Sequence, residues 1–384
     1  MDFAFSEEHK ILRDSVRKMM DRIATPEYVR RLDRDQAYPD ALYEAWVEMG
    51  LLRLPFAEEY GGLGGNALDM VVLADEIARK SFDLFTAYGG SVFCGLNVAR
   101  KGSDEQRNHW LPKLMSGEIK MSISMSEPDA GSDIGSMRTV ARRDGDSWVI
   151  NGRKIWATGA AAKSNVINVY VKTDLTVDYR KGMSLFLVPN DTPGLELRKL
   201  DMLGRRCVGT YELTFDNVRV SASQLVGGEN NGWACVLSGL QLERITAAAG
   251  YCGAAQAVVE MATQYAKDRK QFGRPIGTFQ AIAHMLADMQ TEIEAARTLI
   301  WRAAWMVDND ASDALRVISM AKLFASETYV KVANAGMQIF GGAGYSMEFD
   351  MQRHFRDARS TTIAAGTSQM QRNVIAGLMG LKVK

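Results

Sequence analysis

The chain has 384 residues, 47% of them hydrophobic, and its 46 basic side chains balance 46 acidic ones, so the net charge is zero. That length supports two or three hydrophobic cores. A zero balance with no run of like charge argues against a general nucleic-acid binder, and no stretch approaches the roughly 20 apolar residues of a membrane helix. Cys94, Cys207, Cys235 and Cys252 contain no CxxC pair, which points to reduced thiols in a cytoplasmic protein rather than a disulfide framework or zinc site. His9, His109, His284 and His354 are scattered without an HExxH, so no metal site is expected. The acidic N-terminus, Met-Asp-Phe-Ala-Phe-Ser-Glu-Glu, lacks the apolar core of a signal peptide and the Arg-rich character of a transit peptide.

In chain order, the first third reads as helices. Ser6 is a plausible N-cap, with Glu7 and Glu8 in the first turn and Leu12, Val16, Met19 and Ile23 at helical spacing. A helix from Asp40 to Met49 ends at Gly50, and others fit Leu68 to Lys80 and Glu105 to Met115. The Gly-rich stretch from Leu54 to Gly64 lacks the Gly-Lys-Ser/Thr of a P-loop and reads as a tight connection. From Ile119 short apolar runs appear, at 149–150, 166–171, 184–188 and 211–215, separated by Gly, Asp, Asn and Pro. Such runs suggest a small β-barrel or sandwich. From Trp233 the texture is helical again. Ile282, Leu286, Met289, Ile293, Ala296 and Ile300 form a coiled-coil-like seam, and a second long helix fits Ala314 to Gln338. A helix before residue 268 and one near the C-terminus complete a four-helix bundle. The expected organisation is therefore α+β multidomain: a helical domain over 1–118, a β domain over 119–230 and a helical bundle over 231–384.

Two motifs carry the chemistry. Met121-Ser122-Ile123-Ser124-Met125-Ser126 alternates like a strand and breaks into a turn at Glu127-Pro128-Asp129-Ala130-Gly131-Ser132-Asp133. Such a turn gathers N–H groups and hydroxyls that suit a polar ring edge or a phosphate. Lys154-Ile155-Trp156-Ala157-Thr158-Gly159 follows an Asn151-Gly152 turn, and its indole and hydroxyl offer a flat wall with a polar contact.

Together these motifs resemble the flavin cradle of the acyl-CoA dehydrogenases, and the resemblance covers essentially the whole chain. It implies an FAD enzyme that places a double bond between the α and β carbons of an acyl-CoA of medium or branched chain. It further implies electron transfer to an electron-transfer flavoprotein and a homotetramer. Met125, Ser126, Ser132, Trp156 and Thr158 match flavin contacts. Arg269, Phe272, Gln280 and Gln338 match residues that reach the cofactor of a neighbouring subunit, and Thr367 and Gln369 match contacts near the C-terminus. Most members carry their base in a C-terminal Glu-Gly-Thr; here the segment is Ala364-Ala365-Gly366-Thr367. The isovaleryl-CoA and long-chain branches place the base at the position of Glu243, so the resemblance assigns catalysis to Glu243. The Ala365 position supplies a backbone donor to the thioester carbonyl, and Arg244 matches a CoA contact. Gln241 stands where many members have Asp, and Val208 where many have Ser. An acyl-CoA oxidase, a sulfinopropionyl-CoA desulfinase-like member and a non-enzymatic flavin binder are the rival readings; retention of Glu243 argues against the desulfinase.

Overall fold

The computed structural model describes residues 5–382. Six helices form the N-terminal region: α1 (Glu7–Ile23), α2 (Pro26–Asp35), α3 (Asp40–Glu48), α4 (Ala67–Ala78), α5 (Phe82–Lys101) and α6 (Asp104–Met115). Their starts follow from capping chemistry. Ser6 accepts from the His9 N–H, Thr25 caps α2 with Pro26 in its first turn, and Asn66 with Asp69 forms a capping box on α4. The expected helices at Asp40, Leu68 and Glu105 are α3, α4 and α6. The sequence pattern did not show α2 and α5. Helix α5 is buried on almost every side, so it has no polar stripe to mark its period.

The middle region contains β1 (Lys120–Ser124), β2 (Val140–Asp144), β3 (Ser147–Thr158), β4 (Asn165–Lys172), the single turn α7 (Tyr179–Gly182), β5 (Met183–Pro189), β6 (Leu195–Leu200), β7 (Thr210–Ser221) and β8 (Leu225–Val226). They form one mixed sheet in the order β6-β7-β3-β2-β4-β5-β8, with β1 parallel to β4. Strands β2 and β4 meet at one residue pair, Val140 with Lys172. Trp148 and Ile150 from one half share a core with Ile167, Val169, Phe186 and Val188 from the other. The two halves therefore face each other as a small sandwich.

The C-terminal region is α8 (Gly232–Asp268), a hairpin of β9 (Lys270–Gln271) and β10 (Arg274–Pro275), α9 (Gln280–Asp308), α10 (Ala314–Phe340), the short α11 (Gly342–Tyr345), α12 (Met351–Thr361) and α13 (Ser368–Leu378). The seam on α9 is real: Met289, Ile293, Ala296 and Ile300 are buried, and Ile282 and Leu286 pack against the same core. Helix α8 is 37 residues long and spans about 55 Å. Its centre is a run of small residues, Ala247, Ala248, Ala249, Gly250 and Cys252 to Ala255, all buried. This lets α8 pass between the N-terminal helices α4 and α5 and the bundle helices α9 and α10.

Candidate active site

The sheet side of the site is built where β1 ends beside β3. Glu127 and Ala130 exchange backbone hydrogen bonds at 3.0 and 3.1 Å around Pro128-Asp129, closing the turn. The Ile155 N–H donates to the Ser126 carbonyl at 2.9 Å, which ties the turn to β3. Beneath it lies a buried ion pair. Lys154 Nζ donates to Glu127 Oε1 at 2.8 Å and to the Met125 carbonyl at 2.9 Å. Glu127 also accepts from the N–H groups of Arg138 at 2.6 Å and Thr139 at 2.9 Å. Burial alone would raise the Glu127 pKa, but the Lys154 ammonium and these N–H groups hold it below its ordinary value. Burial brings Lys154 down to about 8, with Glu127 opposing the fall. Gly152 permits the tight crossing, since a Cβ there would lie 2.6 Å from Thr139 Oγ1.

The pairing of β3 with β7 shifts register between Lys154 and Ala157. In that bulge Trp156 adopts φ +65, uncommon for an aromatic residue, and its side chain is 54% exposed. Thr158 Oγ1 lies 3.2 Å from Thr210 Oγ1. Met125 and Ser126 are half-buried at the same strand end, and Ser132 is exposed beyond the turn. A strained, exposed indole beside a fixed polar strand end fits the planar, polar-edged FAD that the resemblance implies.

The helical side centres on α8. Glu243 is half-buried, and its carboxylate makes no hydrogen bond among the described residues. Burial raises its pKa, opposed by the neighbouring Arg244. It lies close enough to Cys94, Tyr170 and Tyr251 to add to the upward shifts that burial gives those groups. Arg244 is 9% exposed, and its Nε has no partner among the described residues. Its guanidinium faces inward, 3.7 Å from the point a Cβ on Gly366 would occupy. Gln241 is exposed, three residues before Arg244 and so on the same side of α8. Ala365, half-buried in the loop between α12 and α13, has φ +53, followed by Gly366 at φ +83. Val208 is buried, 3.4 Å from the Cβ position of Gly159 just past Thr158.

Thr367 caps α13, accepting from the Met370 N–H at 3.1 Å. With Gln369 it lines a surface groove that also takes in Lys331, Arg359 and Ile363. Arg269, Phe272, Gln280 and Gln338 are exposed, Phe272 at 93%. They gather at one end of the bundle, where α8 and α10 finish and α9 begins. Arg269 is 26 residues beyond Glu243, about 39 Å along α8, so one chain does not bring the two groups together. Three residues without a role in the sequence reading prove structurally central: Lys154 paired with Glu127, and Lys322 on α10. The available sign for Lys322 was a charge on the apolar stripe of Ile318, Ala321, Ala325 and Tyr329.

Sequence models of the N-terminal, middle and C-terminal domains of acyl-CoA dehydrogenases match residues 6–118, 122–218 and 230–379. The probable acyl-CoA dehydrogenase YngJ of Bacillus subtilis is 37% identical over 378 residues, 98% of this chain and 99% of that protein. The mitochondrial short-chain specific acyl-CoA dehydrogenase of Bos taurus is 38% identical over 374 residues, covering 97% and 90%. The structure of butyryl-CoA dehydrogenase from Megasphaera elsdenii superposes with a TM-score of 0.92 at 30% identity, covering 99% of this chain and 100% of that one. Sequence, fold and cradle agree: this chain belongs to the acyl-CoA dehydrogenase family of FAD-dependent oxidoreductases.

Proposed function

We propose that the protein desaturates the α,β bond of a medium- or branched-chain acyl-CoA, with Glu243 as the base that removes the α-proton. The observation that carries this reading is Glu243 itself: a half-buried carboxylate with no hydrogen-bond partner, in a chain whose C-terminal loop offers Ala365 instead of a second carboxylate. Bound FAD supplies the acceptor for the β-hydride. Met125, Ser126, Ser132, Trp156 and Thr158 would hold it on the sheet side, with Thr367 and Gln369 near the C-terminus. Desolvation raises the Glu243 pKa toward the working range, which strengthens it as a base. The Ala365 N–H would donate to the thioester carbonyl, making the α-proton easier to remove. Arg244 and Gln241 would serve the CoA part. The 39 Å separation along α8 supports an assembly in which Arg269, Phe272, Gln280 and Gln338 complete a neighbour's cofactor site, in a homotetramer.

An electron-transfer flavoprotein would take the electrons. The four cysteines are free and buried, which suits the cytoplasmic compartment expected from the sequence. No helix among the described residues is long and apolar enough to cross a membrane. The test is anaerobic bleaching of the flavin band by a panel of straight and branched acyl-CoAs, followed by admission of oxygen or an electron-transfer flavoprotein. Bleaching by one chain class identifies the substrate; a band that no acyl-CoA bleaches refutes the proposal. Rapid reoxidation by oxygen would favour the oxidase reading.

A further inference from the structure

Lys322 is fully buried in the middle of α10. Its ammonium donates three hydrogen bonds, all to backbone carbonyls: Thr361 at 3.0 Å, Ala364 at 3.1 Å and Gly366 at 2.8 Å. An ammonium has three protons, so all are used. No carboxylate pairs with it among the described residues. The charges that face it are Arg244 on α8 and Glu327 on its own helix, the latter bound to Arg372 on α13. One of the three bonds closes the C-terminus of α12 at Thr361. The other two flank Ala365.

The Ala364 carbonyl and the Ala365 amide are the two ends of one peptide group. No cis bond occurs among the described residues, and in a trans peptide the C=O and N–H point in opposite directions. Holding the Ala364 oxygen on Lys322 therefore aims the Ala365 N–H away from α10. The left-handed conformations of Ala365 and Gly366 turn the Gly366 carbonyl, two residues on, back onto the same ammonium. The Ala365 N–H has no backbone partner among the described residues.

We propose that Lys322 is a positioning residue that aims and polarises the Ala364–Ala365 peptide, making the Ala365 N–H a strong donor to the substrate's thioester carbonyl. This rests on the reading that the Ala365 N–H is that donor. A charge-assisted bond at the carbonyl end draws electron density along the amide and strengthens the N–H at the other end. A donor fixed in advance stabilises negative charge on the thioester oxygen without reorganising as it forms. Lys322 also has a limit in pH. Burial and Arg244 bring its pKa down to about 8. Above that, a neutral amine has two protons for three carbonyls.

The test uses FAD-loaded Glu243→Gln protein, in which the [1-13C]-labelled acyl-CoA that bleaches the parent flavin best stays intact, and reads the carbonyl stretch of the bound thioester by infrared difference spectroscopy. The stretch is expected to fall below its solution frequency. Adding Lys322→Met or Lys322→Gln should return it toward that frequency. In a background that keeps Glu243, the same changes should slow flavin reduction by roughly 10- to 100-fold, with the Kd for that acyl-CoA changing by less than about threefold. A folded, FAD-loaded Lys322→Met protein that keeps both the full downshift and the rate overturns the inference. No downshift in Glu243→Gln alone removes the Ala365 donor reading instead.

If neither Lys322 variant folds, the pH arm decides on Glu243→Gln protein, with flavin absorbance followed so that loss of FAD as Lys154 titrates near the same pH is told apart. The downshift should fade as pH rises through about 8. Folding should meanwhile grow more stable: the folded pKa of Lys322 is depressed, so between about 8 and 10.5 the unfolded chain binds the extra proton. A downshift that stays constant to about pH 10, while the rise in stability shows Lys322 giving up its proton, overturns the inference.

Discussion

The two sides of the site treat their buried charges in opposite ways. On the sheet side Glu127 and Lys154 are paired with each other, and their remaining capacity goes to the backbone of Met125, Arg138 and Thr139. On the helical side Glu243 has no hydrogen-bond partner among the described residues, and Arg244 Nε, Ser368 Oγ and Gln371 Oε1 have none either. Asn97 Oδ1, beside Gly239 one turn before Glu243, is also unpaired. A buried polar group without a partner costs free energy unless water or a ligand satisfies it; Ser124 Oγ, Asn165 Oδ1 and Asn168 Oδ1 under the sheet are unpaired too, but there no unpaired carboxylate joins them. On the function proposed above, the paired side is scaffold and the unpaired side is where bonds change.

The sharpest way to break that comparison is at Glu243. Glu243→Gln keeps the shape and removes the proton acceptor. Flavin reduction by acyl-CoA should fall by about 10²- to 10⁴-fold, with FAD and acyl-CoA binding nearly intact, as followed by anaerobic stopped flow. Stability should move the other way. The folded pKa of Glu243 is raised, so its contribution is complete below the ordinary Glu value of 4.5 and is lost as pH rises through the folded pKa. At pH 7 Glu243→Gln should therefore melt higher than the parent, and the gap should close as pH falls toward 4.5. Reduction at the parental rate would place the base elsewhere.

On the paired side the effect falls on folding and cofactor retention. Lys154→Met leaves the Glu127 carboxylate buried with only backbone donors. Breaking a buried pair from one side costs about 3–5 kcal/mol, to be read from urea unfolding of the protein without FAD. The turn at Ser126 should loosen, and FAD should wash out on gel filtration. Lys154→Met combined with Glu127→Gln should recover part of the loss, because no unpaired charge remains. A single variant as stable and as yellow as the parent would show that the pair is not scaffold.

These two sides were unequally legible in the sequence. The α, β, α order, the α9 seam and the caps at Ser6 and Gly50 follow from local periodicity and turn chemistry, which a single chain displays. Helix α5 did not, because a helix buried all round has no polar face to set its phase. Trp156 and Thr158 stood out as a motif, yet nothing local announced that Trp156 would sit in a bulge at φ +65. Lys322 and its three carbonyls lie 39 to 44 residues apart, and a tertiary contact of that range leaves only a charge on an apolar stripe. Glu243 lies on α8 and Arg269 just past its end, so the length of α8 keeps them apart, a relation that became measurable once its ends were known.

Trp156 gives the smallest effect and the finest discrimination. It belongs to the paired side by position, but its backbone is strained, as at Ala365, and its indole is open to solvent. A non-glycine residue held in the left-handed region costs about 1–3 kcal/mol. Trp156→Gly removes that strain, adds back roughly 0.5–1 kcal/mol of backbone entropy, and forfeits the packing of the buried part of the indole. For FAD-free protein these terms should cancel to within about 1 kcal/mol by urea unfolding. Binding has no such cancellation. An aromatic stack is worth about 0.5–1.5 kcal/mol beyond its buried area, so the FAD Kd should rise by up to about tenfold, as read by fluorescence titration of the apoprotein. Trp156→Phe keeps a flat face and should recover much of that loss. If Trp156→Gly instead lost several kcal/mol of stability and bound FAD as before, the indole would be ordinary packing, and the strain at φ +65 would need another reason.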